Sequence, residues 1–194
     1  MKKTLILLTA VFICSFASLK SQSVKIEMQT DLGSIISELY PEQAPVTCEN
    51  FIKYIQNNKF DSLHFYRVVR MDNQPNNKIK IEVIQGGLGF GTPKSRYPPI
   101  AHETTQKTGI LHRDGVLSMA RNKPGSASSE FFICIGDQPE LDFGGQRNPD
   151  GQGFAAFGKV IEGMEVVKKI QNKSDKSQML LDKVAIHSIT ILEE

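Results

Sequence analysis

The chain carries Gly115-Val116-Leu117-Ser118-Met119-Ala120 and, eleven residues beyond it, Phe131-Phe132-Ile133-Cys134-Ile135. Both runs are short, apolar and set between loops of Gly, Ser and Asn. Runs of about four to eight apolar residues between turn formers read as strands, because a helix needs about ten or more with a 3.6-residue period. Residues 154–160 form a third such run. Upstream, residues 63–69 are strand-like, 71–78 form a polar, Asn-rich loop, and 79–84 alternate again; 86–102 are punctuated by Gly and Pro and read as coil. Val24-Lys25-Ile26-Glu27-Met28 alternates with period two, Asp31-Leu32-Gly33 supplies turn chemistry, and 34–40 return as the second strand of a hairpin. Residues 41–46 open a helix with Pro45 early, where a missing N–H is harmless. Phe51, Ile52 and Ile55 give it an apolar face, and Asn57-Asn58 end it. Residues 163–171 read as a second helix and 184–192 as a closing strand. Many short strands and two helices far apart predict a mainly β protein, a closed or nearly closed antiparallel barrel.

The length of 194 residues fits one ordinary domain, and apolar and charged fractions of 40% and 23% are those of a globular protein. A net charge of +2 gives no basic face for nucleic acid. The N-terminus differs in kind. Met1-Lys2-Lys3 precedes an apolar run over 5–19 that is too short to span a bilayer, the pattern of a secretory signal peptide. Residues 1–21 are therefore expected to be removed, leaving 22–194 as the mature domain, exported to a periplasm or secreted, without stable membrane insertion. Cleavage takes Lys2, Lys3 and Lys20 and no acid, so the slight basicity of the chain belongs to its leader. Cys48 and Cys134 remain inside apolar runs, as separate buried thiols.

Several motifs fail on physical grounds. Gly87-Leu88-Gly89-Phe90-Gly91 is followed by Pro93, Pro98 and Pro99 where a phosphate-binding helix would begin. Asp142-Phe143-Gly144 has no other kinase element near it. Around Asn148-Pro149-Asp150-Gly151 a calcium loop would need a first Asp where Gln146 stands and a bidentate Glu where Phe157 stands. His64, His102, His112 and His187 have no ligand spacing, and no serine sits in a nucleophile elbow. No metal, cofactor or covalent chemistry is indicated.

Three segments in order carry a positive signal: Phe65-Tyr66-Arg67-Val68-Val69, Ile84-Gln85-Gly86-Gly87, and Gly115 to Ala120 with Phe131-Phe132-Ile133. With Ala44-Pro45-Val46-Thr47-Cys48-Glu49-Asn50-Phe51 and Phe157-Gly158-Lys159-Val160-Ile161-Glu162-Gly163-Met164, they resemble the cyclophilin family of peptidyl-prolyl cis–trans isomerases over nearly the whole mature chain. The resemblance implies an eight-stranded antiparallel closed barrel capped by two α-helices, acting as a monomer without cofactor or metal on proline-containing unfolded or flexible segments. It assigns Arg67 as the catalytic donor to the prolyl nitrogen. Gln85 would hold the substrate backbone and orient the arginine. Val83, Phe132 and Leu141 would line the proline pocket, and Ala120 would meet the peptide with its backbone.

The chain also departs from the family pattern. Glu82 replaces a phenylalanine, Glu130 a glutamine, Arg121 an asparagine, Glu140 a frequent tryptophan and Phe154 a frequent histidine. Phe154 keeps an apolar wall, whereas losing the tryptophan predicts weak binding of cyclosporin. Glu130 keeps its acceptor oxygens but loses the amide donors, and it is expected to pair with Arg67 or Arg121. Residues 71–80 and 143–153 are insertions beside the same region. Two readings follow: an exported isomerase that helps clients fold, or a barrel that holds proline segments with little turnover.

Overall fold

The computed structural model describes residues 23–60, 63–89 and 96–193, so the expected leader at 1–21 lies outside the described residues. Strands β1 (Val24–Thr30) and β2 (Gly33–Leu39) form the expected hairpin, with Thr30 opposite Gly33 across a two-residue turn. Gly33 takes φ +124°, a conformation closed to most side chains. The period-two pattern sends Ile26, Met28, Ile35 and Leu39 inward, and all four are buried.

After helix α1 (Pro45–Gln56) come β3 (Leu63–Val69), β4 (Val83–Gly87), a one-turn helix α2 (Thr105–Thr108), β5 (Val116–Met119), β6 (Phe131–Cys134) and a 3-10 turn (Pro139–Leu141). Strand β7 (Ala155–Glu162), helix α3 (Met164–Gln171), the two-residue β8 (Asp175–Lys176) and β9 (Met179–Ile191) complete the chain. Every pairing is antiparallel, in the order β1-β2-β7-β5-β6-β4-β3-β9, and β9 returns to pair with β1. Eight strands thus close a barrel among the described residues. The ninth strand, β8, is only a short ribbon on the start of β9.

Helices α1 and α3 provide the two expected caps. Phe51 of α1 packs on Phe60, Phe131 and Phe157 with ring centroids 4.9, 5.4 and 5.0 Å apart. The helix starts at Pro45, not at 41, because the carboxylate of Glu103 accepts from the amides of Val46 (3.2 Å) and Thr47 (2.8 Å) and fixes the first turn there. Helix α3 buries Val166, Val167 and Ile170, and Gly163 before it (φ +93°) leaves no room for a Cβ against the carbonyl of Ser34.

Three further expectations shift. The alternation at 79–84 yields a strand only from Val83. Gln74, 1% exposed, folds back so that its amide receives the N–H of Ile81 (3.3 Å) and donates to its carbonyl (2.7 Å), taking the place of a neighbouring strand. The described residues include a third helix, α2, beyond the two expected. The last strand begins at Met179, five residues earlier than 184. Cys48 and Cys134 are free and buried, and burial pushes the Cys48 thiol up to about 12. Among the described residues no helix is long and apolar enough to cross a membrane.

Candidate active site

Strands β3 and β4 lie side by side with Arg67 opposite Gln85. A bulge between Phe65 and Arg67 inserts Tyr66 as an extra residue, so Phe65 and Val68 both face the core while Arg67 turns outward. The same register sets Phe132 of β6 opposite Gln85. The outward residues frame an open cavity of about 590 Å³. Arg67, Val83, Gln85, Ala120, Arg121, Glu130, Phe132, Leu141 and Phe154 all line it, so the nine residues singled out in the sequence meet in one place.

Its apolar part is built by Phe132 and Phe154, whose rings meet edge to face at 5.4 Å, with Val83 and Leu141 beside them. Phe132 is backed by His112, stacked on it at 6.0 Å. His112 is fixed by Asp142 at Nδ1 (2.7 Å) and Ser118 at Nε2 (2.9 Å). This Asp–His–Ser link was not foreseen from the spacing of the histidines. Ser118 is 0% exposed within β5, so its hydroxyl cannot attack a substrate, and the link serves to hold the aromatic wall.

The polar part is a continuous hydrogen-bonded line. Arg67 donates from Nη1 to Oε1 of Gln85 (2.8 Å) and from Nε and Nη2 to Oε1 of Gln178 (3.1 and 2.5 Å). Gln85 Nε2 donates to the Tyr66 hydroxyl at 2.9 Å, and Tyr66 donates to Glu130. Glu130 then pairs with Arg96 at 3.2 Å. Burial lowers the pKa of Arg67, yet an arginine remains charged at any ordinary pH. Burial, and then the charge of Glu130, raises the Tyr66 phenol well above its usual range, so it stays a donor.

The expected pairing of Glu130 with Arg67 or Arg121 is therefore corrected. Tyr66 and Arg96 occupy its two oxygens, and it can lie over β4 because Gly87 has no Cβ, which would stand 2.6 Å from Oε2. Arg121 instead grips Asp150 through both terminal nitrogens (2.8 and 2.9 Å) and the carbonyl of Gly153 (2.7 Å), and it covers the Phe154 ring at 5.1 Å. Asp150 is held at about 2, chiefly by Arg121 and then by the Gln152 amide. The Ala120 N–H is taken by the carbonyl of Glu130 (2.8 Å). Glu82 and Glu140 do not line the cavity: Glu82 accepts from Gln171 of α3 (3.3 Å), and Glu140 accepts from the Gln146 amide (2.8 Å) and braces the following loop.

Gln178, Tyr66, Arg96 and Arg147 were missed as site residues. Gln178 sits at φ +71° in the turn between β8 and β9, where Ser177-Gln178 carries no glycine or asparagine to announce a tight turn. Arg147 belongs to the insertion at 143–153 and donates from Nη1 to Gln74 (3.0 Å) and the carbonyl of Ile79 (2.5 Å) in the insertion at 71–80. The two insertions thus touch and form one wall. Among the described residues no group of three His, Cys, Asp or Glu is placed to hold a metal ion.

Known proteins resemble this chain in sequence and in fold. Residues 25–191 match the family model described as cyclophilin type peptidyl-prolyl cis-trans isomerase/CLD. A peptidyl-prolyl cis-trans isomerase of Acinetobacter baylyi is 40% identical over 151 residues, covering 76% of this chain and 71% of that protein. Isomerase B of Escherichia coli is 32% identical over 177 residues, covering 87% and 99%. A crystal structure of a cyclophilin type isomerase from Cryptosporidium parvum, determined in the presence of the dipeptide Ala-Pro, superposes with TM-score 0.68 at 28% identity, covering 88% of this chain and 99% of that one.

Proposed function

Because this chain belongs to the cyclophilin-type peptidyl-prolyl cis–trans isomerases, we propose that it speeds X–Pro rotation in exported polypeptides, with Arg67 donating a hydrogen bond to the prolyl nitrogen. Amide resonance sets a barrier of about 18–20 kcal/mol, and uncatalysed exchange takes tens to hundreds of seconds. As the bond twists, resonance is lost and the nitrogen lone pair becomes an acceptor. A cation fixed beside it then stabilises the twisted state more than either planar one. No bond is made or broken, so the task needs only a slot, an anchor and a donor.

The observation that carries this reading is that Arg67 is held by Gln85 and Gln178 in the same cavity as the apolar slot of Val83, Phe132, Leu141 and Phe154. Three of its five N–H groups are engaged by described residues, which fixes the plane of the guanidinium and leaves donors for a substrate. Gln85 is the backbone anchor, and Ala120, Arg121 and Glu130 shape the floor and rim. The Ala-Pro dipeptide used with the structural relative supports a proline-containing ligand here. A pair between Glu130 and Arg67 would favour the alternative, a holding module with little turnover; Glu130 instead bonds Tyr66 and Arg96.

An isomerisation assay on short X–Pro peptides tests the reading. Arg67→Ala is expected to lower kcat/KM on the order of 100-fold, the worth of one fixed donor. Wild-type rates equal to the uncatalysed reaction would defeat the enzymatic reading, and an unaffected Arg67→Ala would move the donor elsewhere. Export rests on the leader at 1–21 and is tested by cell fractionation with N-terminal sequencing of the mature chain. A product in the cytoplasm that retains Met1-Lys2-Lys3 would refute it.

A further inference from the structure

The cavity holds two guanidinium groups that no carboxylate neutralises. Four arginines line it. Arg96 is paired with Glu130 and Arg121 with Asp150, but neither Arg67 nor Arg147 has an acidic partner among the described residues. Both neutral anchors of Arg147 fall on Nη1, so its Nε and Nη2 hydrogens have no partner among those residues. Asn148, next in the loop and also lining the cavity, buries its Nδ2 without a hydrogen bond. The unspent groups on this wall are therefore donors, two of them on cations.

The two cations also sense each other. Burial and, after it, the charge of Arg67 hold the Arg147 guanidinium below its ordinary range. Like charges gathered in a partly dehydrated space are unfavourable unless an anion joins them. Arg147 is kept there deliberately by the fold: Gln74, buried at the root of one insertion, and the carbonyl of Ile79 fix it, while its own N–H bonds the carbonyl of Glu140 (3.1 Å). The anchors are neutral, so the positive charge is left for a ligand.

We propose that Arg147, with Asn148, forms a carboxylate subsite beside Arg67, so that the preferred substrates carry an acidic side chain or a free chain terminus within about two residues of the proline. This rests on the isomerase reading and names its substrate class. The apolar slot takes the proline ring, and the Arg147 fork takes the neighbouring carboxylate.

The test compares four peptides of one X–Pro core: Glu or Gln next to the proline, and a C-terminal acid or amide just beyond it. Wild type is expected to favour Glu over Gln by about fivefold in kcat/KM at low salt, with the ratio shrinking at high salt as expected for an ion pair. In Arg147→Gln the ratio falls to about one, and Arg147→Lys restores part of it. A loosened loop would slow all four peptides together and leave the ratio unchanged, so the ratio isolates the charge. Preference for the terminal acid alone also supports the subsite and identifies the source of the carboxylate. Equal rates for all four peptides in wild type, or a ratio that survives Arg147→Gln, overturns it. If wild type turns over none of them, the isomerase reading fails, and equilibrium binding of the same peptides decides the subsite: tighter Glu than Gln supports it, equal Kd refutes it.

Discussion

Arg67 is tied to Gln178 twice, through Nε at 3.1 Å and Nη2 at 2.5 Å, both to the single Oε1 of the amide. Gln178 is itself fixed: its N–H bonds Asp175 (2.8 Å), its Nε2 bonds the carbonyl of Asn73 (3.2 Å), and its carbonyl receives the N–H of Val68 (2.9 Å). A turn residue distant in sequence thus sets the plane of the guanidinium that faces the cavity.

Gln178→Gly separates that role from folding. Glycine suits φ +71°, and that gain opposes the loss of the side-chain hydrogen bonds to Arg67 and Asn73, so the melting temperature is expected to stay near that of wild type. The arginine loses one of its two supports, and kcat/KM is expected to fall about tenfold. Thermal melts and the isomerisation assay on the same sample check both halves.

Glu130 links Tyr66 to Arg96 and does not contact Arg67. Glu130→Gln keeps an acceptor for the Tyr66 hydroxyl, so its turnover is expected within about threefold of wild type. Glu130→Ala removes that acceptor from the hydroxyl of Tyr66, a residue only 3% exposed, lets Gln85 shift, and is expected to lower turnover about tenfold. Equal effects of the two substitutions in the assay would show that the line from Gln85 to Glu130 is not what orients the site.

Gln74 stands in for a missing strand beside Ile81 and also bonds the carbonyl of Arg70 (2.7 Å) and Arg147. Gln74→Ala strands several buried backbone groups and is expected to cost about 2–3 kcal/mol in a urea titration. It should also weaken the Glu-over-Gln preference, because Arg147 loses an anchor.

The Arg121–Asp150 pair predicts a specific acid response. The folded carboxyl of Asp150, at about 2, lies below the ordinary 3.8, so the pair supports the folded state fully above 3.8. That support fades as the pH falls from 3.8 through about 2. The carboxylate is exposed, so the effect is small and screened by salt. Asp150→Asn should flatten this part of the curve of melting temperature against pH, and an unchanged slope would assign the acid sensitivity to other carboxylates.

What the sequence determined by itself is local in origin. Period-two alternation at 24–28, turn chemistry at Asp31-Leu32-Gly33, and short apolar runs at 115–120 and 131–135 specify strands, because each signal acts between neighbours along the chain. The resemblance to the cyclophilin family, carried by the ordered segments around Arg67, Gln85 and Phe132, nominated nine residues that do meet in one cavity. The start of β4 escaped this reading because a side chain, Gln74, competes for the backbone of Ile81 from seven residues away. Only the closed barrel decides the partners of the charges. It carries Gln178 to Arg67 across 111 residues and gives Glu130 to Tyr66 and Arg96, and through the meeting of two insertions it sets Arg147 into the same cavity. Ion pairs and hydrogen bonds are chosen by angstrom-scale distance and direction, and for residues this far apart in the chain tertiary packing alone fixes those.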